Sequence, residues 1–110
     1  MHGRRIAKNI VNYVKKNYGE HVEEITLAMG ELVGLSKHEL EDLIKRETSW
    51  KVHIVDEPGL VECLCGYRGP PKISDRGHDY VMYECPQCGS PLPKPLRGHE
   101  IKVVNVKMKG

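Results

Sequence analysis

The chain has few large apolar side chains with which to build a core. It is 110 residues long, contains no phenylalanine and one tryptophan, and only 5% of its residues are aromatic. This scarcity indicates a modest aliphatic core, which leaves little stability in reserve and makes a metal ion a useful cross-link. At this length we expect one domain, or one small domain into which a smaller lobe is inserted.

Long hydrophobic runs are also missing. No apolar stretch approaches the length of a membrane span, and Arg4, Arg5 and Lys8 interrupt the start of the chain. Serine, histidine and carboxylate residues are scattered, and no nucleophile motif or phosphate-binding glycine loop is recognisable. We therefore expect a cytoplasmic protein that is not an enzyme. A reducing cytoplasm favours a metal site over disulfides.

The four cysteines form two close pairs, Cys63-Leu64-Cys65-Gly66 and Cys85-Pro86-Gln87-Cys88-Gly89. Two pairs of thiolates at this spacing are typical of a tetrahedral four-sulfur site, and such a site suits Zn²⁺. The glycine after each pair allows a positive φ, so the backbone can turn and point amides at the sulfurs. A closed site of four thiolates is structural and not catalytic.

The first pair is one residue shorter than the usual C-x-x-C spacing, and it leaves alternatives open. Counting back from Cys65 in the usual register places Glu62 at the first ligand position, where a carboxylate oxygen is an allowed zinc ligand. A histidine is a further candidate for the fourth ligand, with His53, His78 and His99 available. Disulfides or free thiols are the remaining interpretation.

Hydrophobic periodicity predicts two helices and three strands outside the cysteine segment. In chain order these are a helix over 3–18, a strand over 25–29, a helix starting at Ser36, a strand over 50–55 and a strand over 101–108. Gly19 is a stop signal for the first helix, and Ser36 with Glu39 forms a capping box for the second. The proline- and glycine-rich segment before the last strand predicts a loop-rich lobe with a short strand near 80–83.

The last strand is too short to fold alone, so we place it in the sheet of the first domain. The predicted fold is therefore α+β, with two helices on a small three-stranded sheet and a zinc-ribbon-like lobe inserted before the last strand. The predicted domains are 1–59 together with 98–110, and 60–97 for the zinc-binding lobe.

Charge is distributed unevenly, although the net charge is only +2. Residues 1–19 contain five basic and no acidic side chains, whereas residues 20–60 contain four basic and ten acidic ones. The cysteine segment 61–97 is nearly balanced, with five basic and four acidic side chains. Zinc ribbons that bind nucleic acid usually carry a basic excess on the ribbon, so we do not expect a nucleic-acid partner. We interpret the basic start as a solvated helix face.

The start Met1-His2 is a second candidate metal site. A histidine at position two brings the terminal amine, the amide of residue two and the imidazole within reach of one ion. Planar nitrogen ligation of this kind suits Ni²⁺ or Cu²⁺. Taken alone, however, a histidine near a chain start is usually a tail residue with no ligand role.

Four features occur together in one order: Met1-His2 opening a helix, the turn Gly30-Glu31-Leu32, the pair Cys85-Pro86-Gln87-Cys88-Gly89-Ser90, and a returning last strand. In this combination the chain resembles the HypA/HybF family of nickel metallochaperones for NiFe-hydrogenase maturation. The resemblance covers essentially the whole chain. It departs from the family at Gly3, where the family has glutamate, and at the shortened first cysteine pair.

The resemblance implies a metal carrier with two sites. Ni²⁺ would be carried at the N-terminus by His2 and backbone nitrogens of residues 1–3. A structural Zn²⁺ would be held by the four cysteines: Cys63, Cys65, Cys85 and Cys88. The implied partners are a HypB-type GTPase and the hydrogenase large-subunit precursor, with no membrane, and we expect a monomer or a weak dimer.

A competing hypothesis is a zinc-ribbon interaction module that binds protein or nucleic acid and has no nickel function. It accounts for the cysteines and the basic first helix, but it leaves Met1-His2 and the returning strand unexplained. Such a module would bind nucleic acid with a steep salt dependence and ignore nickel.

Overall fold

The computed structural model describes residues 2–77 and 80–110, which form two compact units. The first unit comprises Met1–Ala28, Ser36–Val55 and Lys102–Gly110, and the second comprises Met29–Leu35 and Asp56–Ile101. The predicted domains, 1–59 with 98–110 and 60–97, stay a prediction. No helix in the described part of the chain is both long and apolar enough to cross a membrane.

The chain forms two helices and eight strands within the described residues. In order these are α1 (His2–Tyr18), β1 (Val22–Gly30), α2 (Lys37–Glu47), β2 (Lys51–Glu57), β3 (Leu60–Glu62), β4 (Arg68–Gly69), β5 (Lys72–Arg76), β6 (Val81–Glu84), β7 (Lys94–Arg97) and β8 (Ile101–Met108). One sheet has the strand order β2-β1-β8, so the last strand joins β1 as predicted. The predicted α+β fold, with two helices, a three-stranded sheet and an insertion before the last strand, is confirmed.

Helix α1 is amphipathic and packs against α2. Its buried side chains recur at three- and four-residue steps, at Ala7, Ile10, Val11 and Val14. The helix ends where Gly19 adopts a φ of 81° and its amide donates to the carbonyl of Lys15 over 3.0 Å. Glycine adopts this left-handed conformation without steric cost, so the predicted stop is confirmed.

Helix α2 begins at the predicted cap. Ser36 has an extended backbone, and its Oγ accepts a hydrogen bond of 3.1 Å from the amide of Glu39. This bond satisfies one of the amides that have no partner inside the helix. Leu40 and Ile44 are fully buried, so α2 contributes one apolar face to the core of the first unit.

That core is aliphatic, as the composition predicts. Its fully buried side chains come from every layer of the unit and include Val14 on α1, Ile25 and Leu27 on β1, and Leu40 and Ile44 on α2. Burying one such side chain contributes roughly 1.5–3 kcal/mol. The first unit therefore has a continuous hydrophobic core of its own.

The second unit consists of short strands. β3 pairs antiparallel with β4 and with β7, and β5 and β6 form a separate antiparallel pair. The lobe thus has more β-structure than predicted, because strands of two to five residues carry too little alternation to be recognised in sequence. The short strand predicted near 80–83 corresponds to β6. β3 leads into Cys63 and β6 into Cys85, which brings the two cysteine pairs to strand ends.

Three glycines of the second unit pack with almost no space between them. A Cβ added to Gly30 would lie 2.1 Å from the carbonyl carbon of Gly98, and one added to Gly98 would lie 2.7 Å from the Cα of Gly59. The amide of Leu32 donates to the carbonyl of Gly98 over 2.7 Å. The turn Gly30-Glu31-Leu32 therefore packs against and hydrogen-bonds to the backbone at Gly98, which in turn packs against Gly59.

Candidate metal centre

The four cysteines meet at one point in the second unit. The Sγ atoms of Cys63 and Cys88 are 3.5 Å apart, and those of Cys65 and Cys85 are 3.7 Å apart. All four sulfurs lie within 4.8 Å of one another. Four sulfurs at Zn–S bond lengths in a tetrahedron are separated by about 3.8 Å. The residues present therefore fit a zinc ion in both ligand type and spacing.

The shortened first pair is accommodated by a tight turn. The amide of Gly66 donates to the carbonyl of Cys63 over 3.0 Å, and the amide of Cys63 donates to the carbonyl of Tyr67 over 2.9 Å. Gly66 has a φ of 99°, so the predicted role of this glycine is confirmed. Leu64 is fully exposed at the apex, which leaves both flanking sulfurs directed to the same cluster.

The second pair lies in a longer turn closed at both ends by backbone hydrogen bonds. The amide of Gly89 donates to the carbonyl of Cys85 over 2.9 Å, and the amide of Cys85 donates to the carbonyl of Ser90 over 3.0 Å. Gly89 has a φ of 77°, again as predicted for the glycine that follows the pair. The backbone thus positions these two sulfurs without help from a large apolar core.

The thiols of the cluster differ in their affinity for protons. The hydroxyl of Ser90 lowers the pKa of Cys88 to about 6, together with the Ser90 amide and the neighbouring sulfurs. The backbone at Tyr67 lowers the pKa of Cys65, but desolvation and the other three sulfurs outweigh it and raise the pKa to about 12. One thiolate therefore forms readily, whereas several close thiolates repel one another. A divalent cation removes that repulsion.

Two polar side chains beside the sulfurs were not predicted as part of the site. Ser90 Oγ lies 3.1 Å from Cys88 Sγ, and Gln87 Nε2 donates to Cys65 Sγ over 3.8 Å. Hydrogen bonds of this kind orient ligands and tune their affinity for metal. Their only sequence signal is proximity to Cys88, which does not separate them from other polar loop residues.

The other candidate ligands are not members of the cysteine cluster among the described residues. Glu62 is exposed on β3, where it is paired in register with Arg68. His53 belongs to the first unit, and its Nε2 lies 2.9 Å from Glu24 Oε1. His99 is exposed, and His78 lies outside the described residues.

The predicted nickel ligand His2 is the first residue of α1. Its side chain and Met1 lie outside the described residues. Gly3 is buried, and the first turn of the helix contains no acidic side chain. The structure therefore places the backbone of residues 2 and 3 at a helix N-terminus.

A comparison with protein families shows to which family the chain belongs. The family model described as hydrogenase/urease nickel incorporation, metallochaperone, hypA matches residues 1–108. The chain belongs to the HypA family. The resemblance seen in the sequence is thus confirmed. HypA proteins are nickel-incorporation metallochaperones, which agrees with the expectation that the chain is not an enzyme.

Curated HypA relatives match over nearly the whole chain. The hydrogenase maturation factor HypA of Methanothermobacter thermautotrophicus is 27% identical over 109 residues, which cover 94% of this chain and 89% of the relative. The hydrogenase maturation factor HypA of Methanocella arvoryzae is 29% identical over 111 residues, covering 92% of each.

Solved HypA structures share the fold. The solution structure of the Ni metallochaperone HypA from Helicobacter pylori superimposes with a TM-score of 0.62, at 20% identity, and covers 96% of both chains. A second HypA solution structure has a TM-score of 0.53 at 21% identity and covers 97% of this chain and 92% of its own. At these identities the similarity concerns the fold.

Proposed function

We propose that the chain carries Ni²⁺ at its N-terminus and helps to insert it into the large-subunit precursor of a NiFe-hydrogenase, with a HypB-type GTPase as partner. The observation that carries this proposal is the HypA family match over residues 1–108, which includes Met1 and His2. The cysteine cluster supports a second, structural metal, so that the exchangeable ion and the resident ion occupy different parts of the chain.

Zn²⁺ is the ion that we assign to Cys63, Cys65, Cys85 and Cys88. When bound there, it would supply a cross-link between the ends of β3 and β6, two strands in which Val61 is the one buried residue. The S···S distances of 3.5 and 3.7 Å support this assignment, because they match tetrahedral thiolate ligation. With four protein ligands the site has no open position for a substrate, so its role is structural.

The proposed nickel site uses the first residues of α1. The terminal amine, the backbone nitrogens of residues 2 and 3, and the imidazole of His2 form a nitrogen-rich set that suits Ni²⁺. The first amides of an α-helix have no partner inside the helix. Because α1 begins at His2, recruiting these nitrogens as ligands breaks no helical hydrogen bond. Protonation of the amine, amide or imidazole favours release, since bound nitrogens are deprotonated.

Substitution of the proposed side-chain ligand tests this function. We expect His2→Ala to weaken Ni²⁺ binding by more than about 100-fold in calorimetric titration, because a direct ligand is lost. Zinc content and the circular dichroism spectrum are expected to be unchanged. The matched control is His38→Ala, which removes an exposed histidine from α2 and is expected to leave nickel affinity intact.

Two results would count against the carrier function. One is equal nickel affinity of the wild type and the His2→Ala variant. The other is indifference of the wild type to Ni²⁺ combined with salt-dependent binding of an oligonucleotide, which would support the zinc-ribbon interaction module instead.

A further inference from the structure

A cleft of about 220 Å³ opens between the two helices of the first unit. It lies where the first turns of α1 meet the last turn of α2. The lining residues are Arg4, Ala7, Lys8, Leu43, Arg46 and Glu47. Two of them, Ala7 and Leu43, provide an apolar floor, whereas the other four are exposed charged side chains around it.

Positive charge dominates the rim of this cleft. Arg4, Lys8 and Arg46 face a single acidic residue, Glu47. Among residues 2–77 and 80–110, none of the three cations takes part in an ion pair. By contrast, Lys45 on the same helix as Arg46 pairs with Glu41 at 2.8 Å. The cleft therefore gathers cations whose charge the described part of the chain does not neutralise.

Local helix energetics disfavour this arrangement of cations. Arg4 and Lys8 are four residues apart, so their like charges lie on one face of α1 and repel each other. Arg4 also lies in the first turn of the helix, where the macrodipole is positive and favours acidic side chains. The first turn of α1 contains no acidic side chain. An anionic partner would relieve both conflicts.

We propose that this cleft is the docking site for an acidic, amphipathic segment of a protein partner. An apolar side chain of the segment contacts Ala7 and Leu43, while neighbouring carboxylates pair with Arg4, Lys8 and Arg46. Charge complementarity defines the partner, and the apolar floor indicates a polypeptide. A nucleic acid fits less well, because its phosphate backbone offers no apolar group for the floor and three cations neutralise only a short stretch of that backbone.

This inference rests on the proposed nickel function for its biological meaning. Arg4 and Lys8 follow His2 along α1 by about 3 and 9 Å, at a rise of roughly 1.5 Å per residue. An acidic segment in the cleft would thus lie beside the helix end at which we propose nickel is carried. The cleft would orient a partner before the ion is transferred.

The test uses the full chain and a defined probe. The probe is a peptide of about 14 residues, roughly four helical turns, with leucine on one face and glutamate and aspartate on the other. Titrated into ¹⁵N-labelled protein, it is expected to shift amide signals of the cleft residues and to leave those of the second unit unchanged. The double variant Lys8→Glu/Arg46→Glu is expected to bind it roughly tenfold more weakly, since two charge pairs become repulsive.

The matched control is Lys15→Glu/Lys16→Glu, which makes the same charge change at exposed positions of α1 outside the cleft. Its affinity for the peptide is expected to change less than about twofold, because these charges contact no part of the docked segment. A peptide with lysine in place of every acidic residue is expected to bind the cleft variant and not the wild type.

Three outcomes would overturn the inference. They are equal weakening in both double variants, no binding by the wild type at about 1 mM peptide, and tighter binding of an RNA oligonucleotide at the same residues. Nickel titration of the wild type, alongside the peptide titration, separates this inference from the proposed function. Nickel binding by a wild type that does not bind the peptide defeats the docking site alone, whereas peptide binding by a wild type indifferent to Ni²⁺ defeats the nickel function alone.

Discussion

The interiors of the two units of this chain are stabilised by different interactions. In the first unit, fully buried aliphatic side chains from two helices and a sheet form a continuous core, with Ile25, Leu27, Leu40 and Ile44 completely inaccessible. In the second unit, Val61 is the one aliphatic side chain of the described residues that is completely inaccessible, and two of the other buried residues are cysteines. The first unit is thus packed mainly by aliphatic side chains, whereas the second unit buries fewer of them and contains the sulfur cluster.

This difference between the units agrees with the proposed roles of the two metal sites, one exchangeable and one structural. A unit with its own core can present an exchangeable metal site at a chain end, because loss of the ion does not unfold it. A unit with few buried apolar side chains gains stability from a metal that stays bound. Metal binding to such a cluster is coupled directly to folding.

The largest expected effect comes from removing one sulfur. We expect Cys85→Ser to lose zinc and to unfold the second unit, because structural zinc sites contribute on the order of 10 kcal/mol to folding. Amide signals of α1, α2 and β1 are expected to remain dispersed in heteronuclear NMR spectra. The matched control Ser90→Ala removes the hydroxyl beside Cys88 and is expected to weaken zinc binding by only about 10- to 100-fold. Unfolding of the first unit in the Cys85→Ser variant would show that the first unit is not stable without the metal site of the second.

A substitution in the hydrophobic core is expected to destabilise the first unit. Leu27→Ala removes a fully buried side chain and is expected to lower the free energy of unfolding of that unit by about 2–5 kcal/mol. With Co²⁺ in place of zinc, thiolate absorption is expected to persist at denaturant concentrations where helical ellipticity is already lost. Val104→Ala, at a position that is 54% exposed on β8, is expected to change stability by less than about 0.5 kcal/mol. Coincident transitions of the two signals would show that the units unfold as one.

A smaller effect is expected from the glycine packing in the second unit. Gly98 has a φ of 77°, and an added Cβ would lie 2.7 Å from both the Cα of Gly59 and the carbonyl oxygen of Pro58. We expect Gly98→Ala to destabilise the zinc-loaded second unit by about 2–3 kcal/mol through clash and backbone strain. Gly19→Ala is the control, because Gly19 has a φ of 81° but no atom within 4 Å of its Cβ position. Its cost is expected to be only about 1 kcal/mol, from strain alone. Equal costs in denaturation curves would show that the close packing is unimportant.

Signals confined to a few neighbouring residues were read correctly from sequence. The apolar spacing of α1, the cap at Ser36, and the glycines after each cysteine pair act through bonds within one or two turns. Apart from the return of the last strand to the first sheet, contacts between distant segments left no such signal. The close approach of Gly30 to Gly98, the pairing of β3 with β7, and the hydrogen bond that Gln87 donates to Cys65 depend on how the chain returns on itself.

The sequence by itself determined the class of fold and the four candidate sulfur ligands, because hydrophobic period and cysteine spacing are local properties, and its motifs carried the resemblance to the family. Only the tertiary structure decided that four sulfurs from two turns converge within 4.8 Å. It alone also decided that basic residues on α1 and α2 surround one cleft. In both cases the property belongs to a packed arrangement of separate segments, and no single stretch of residues contains it.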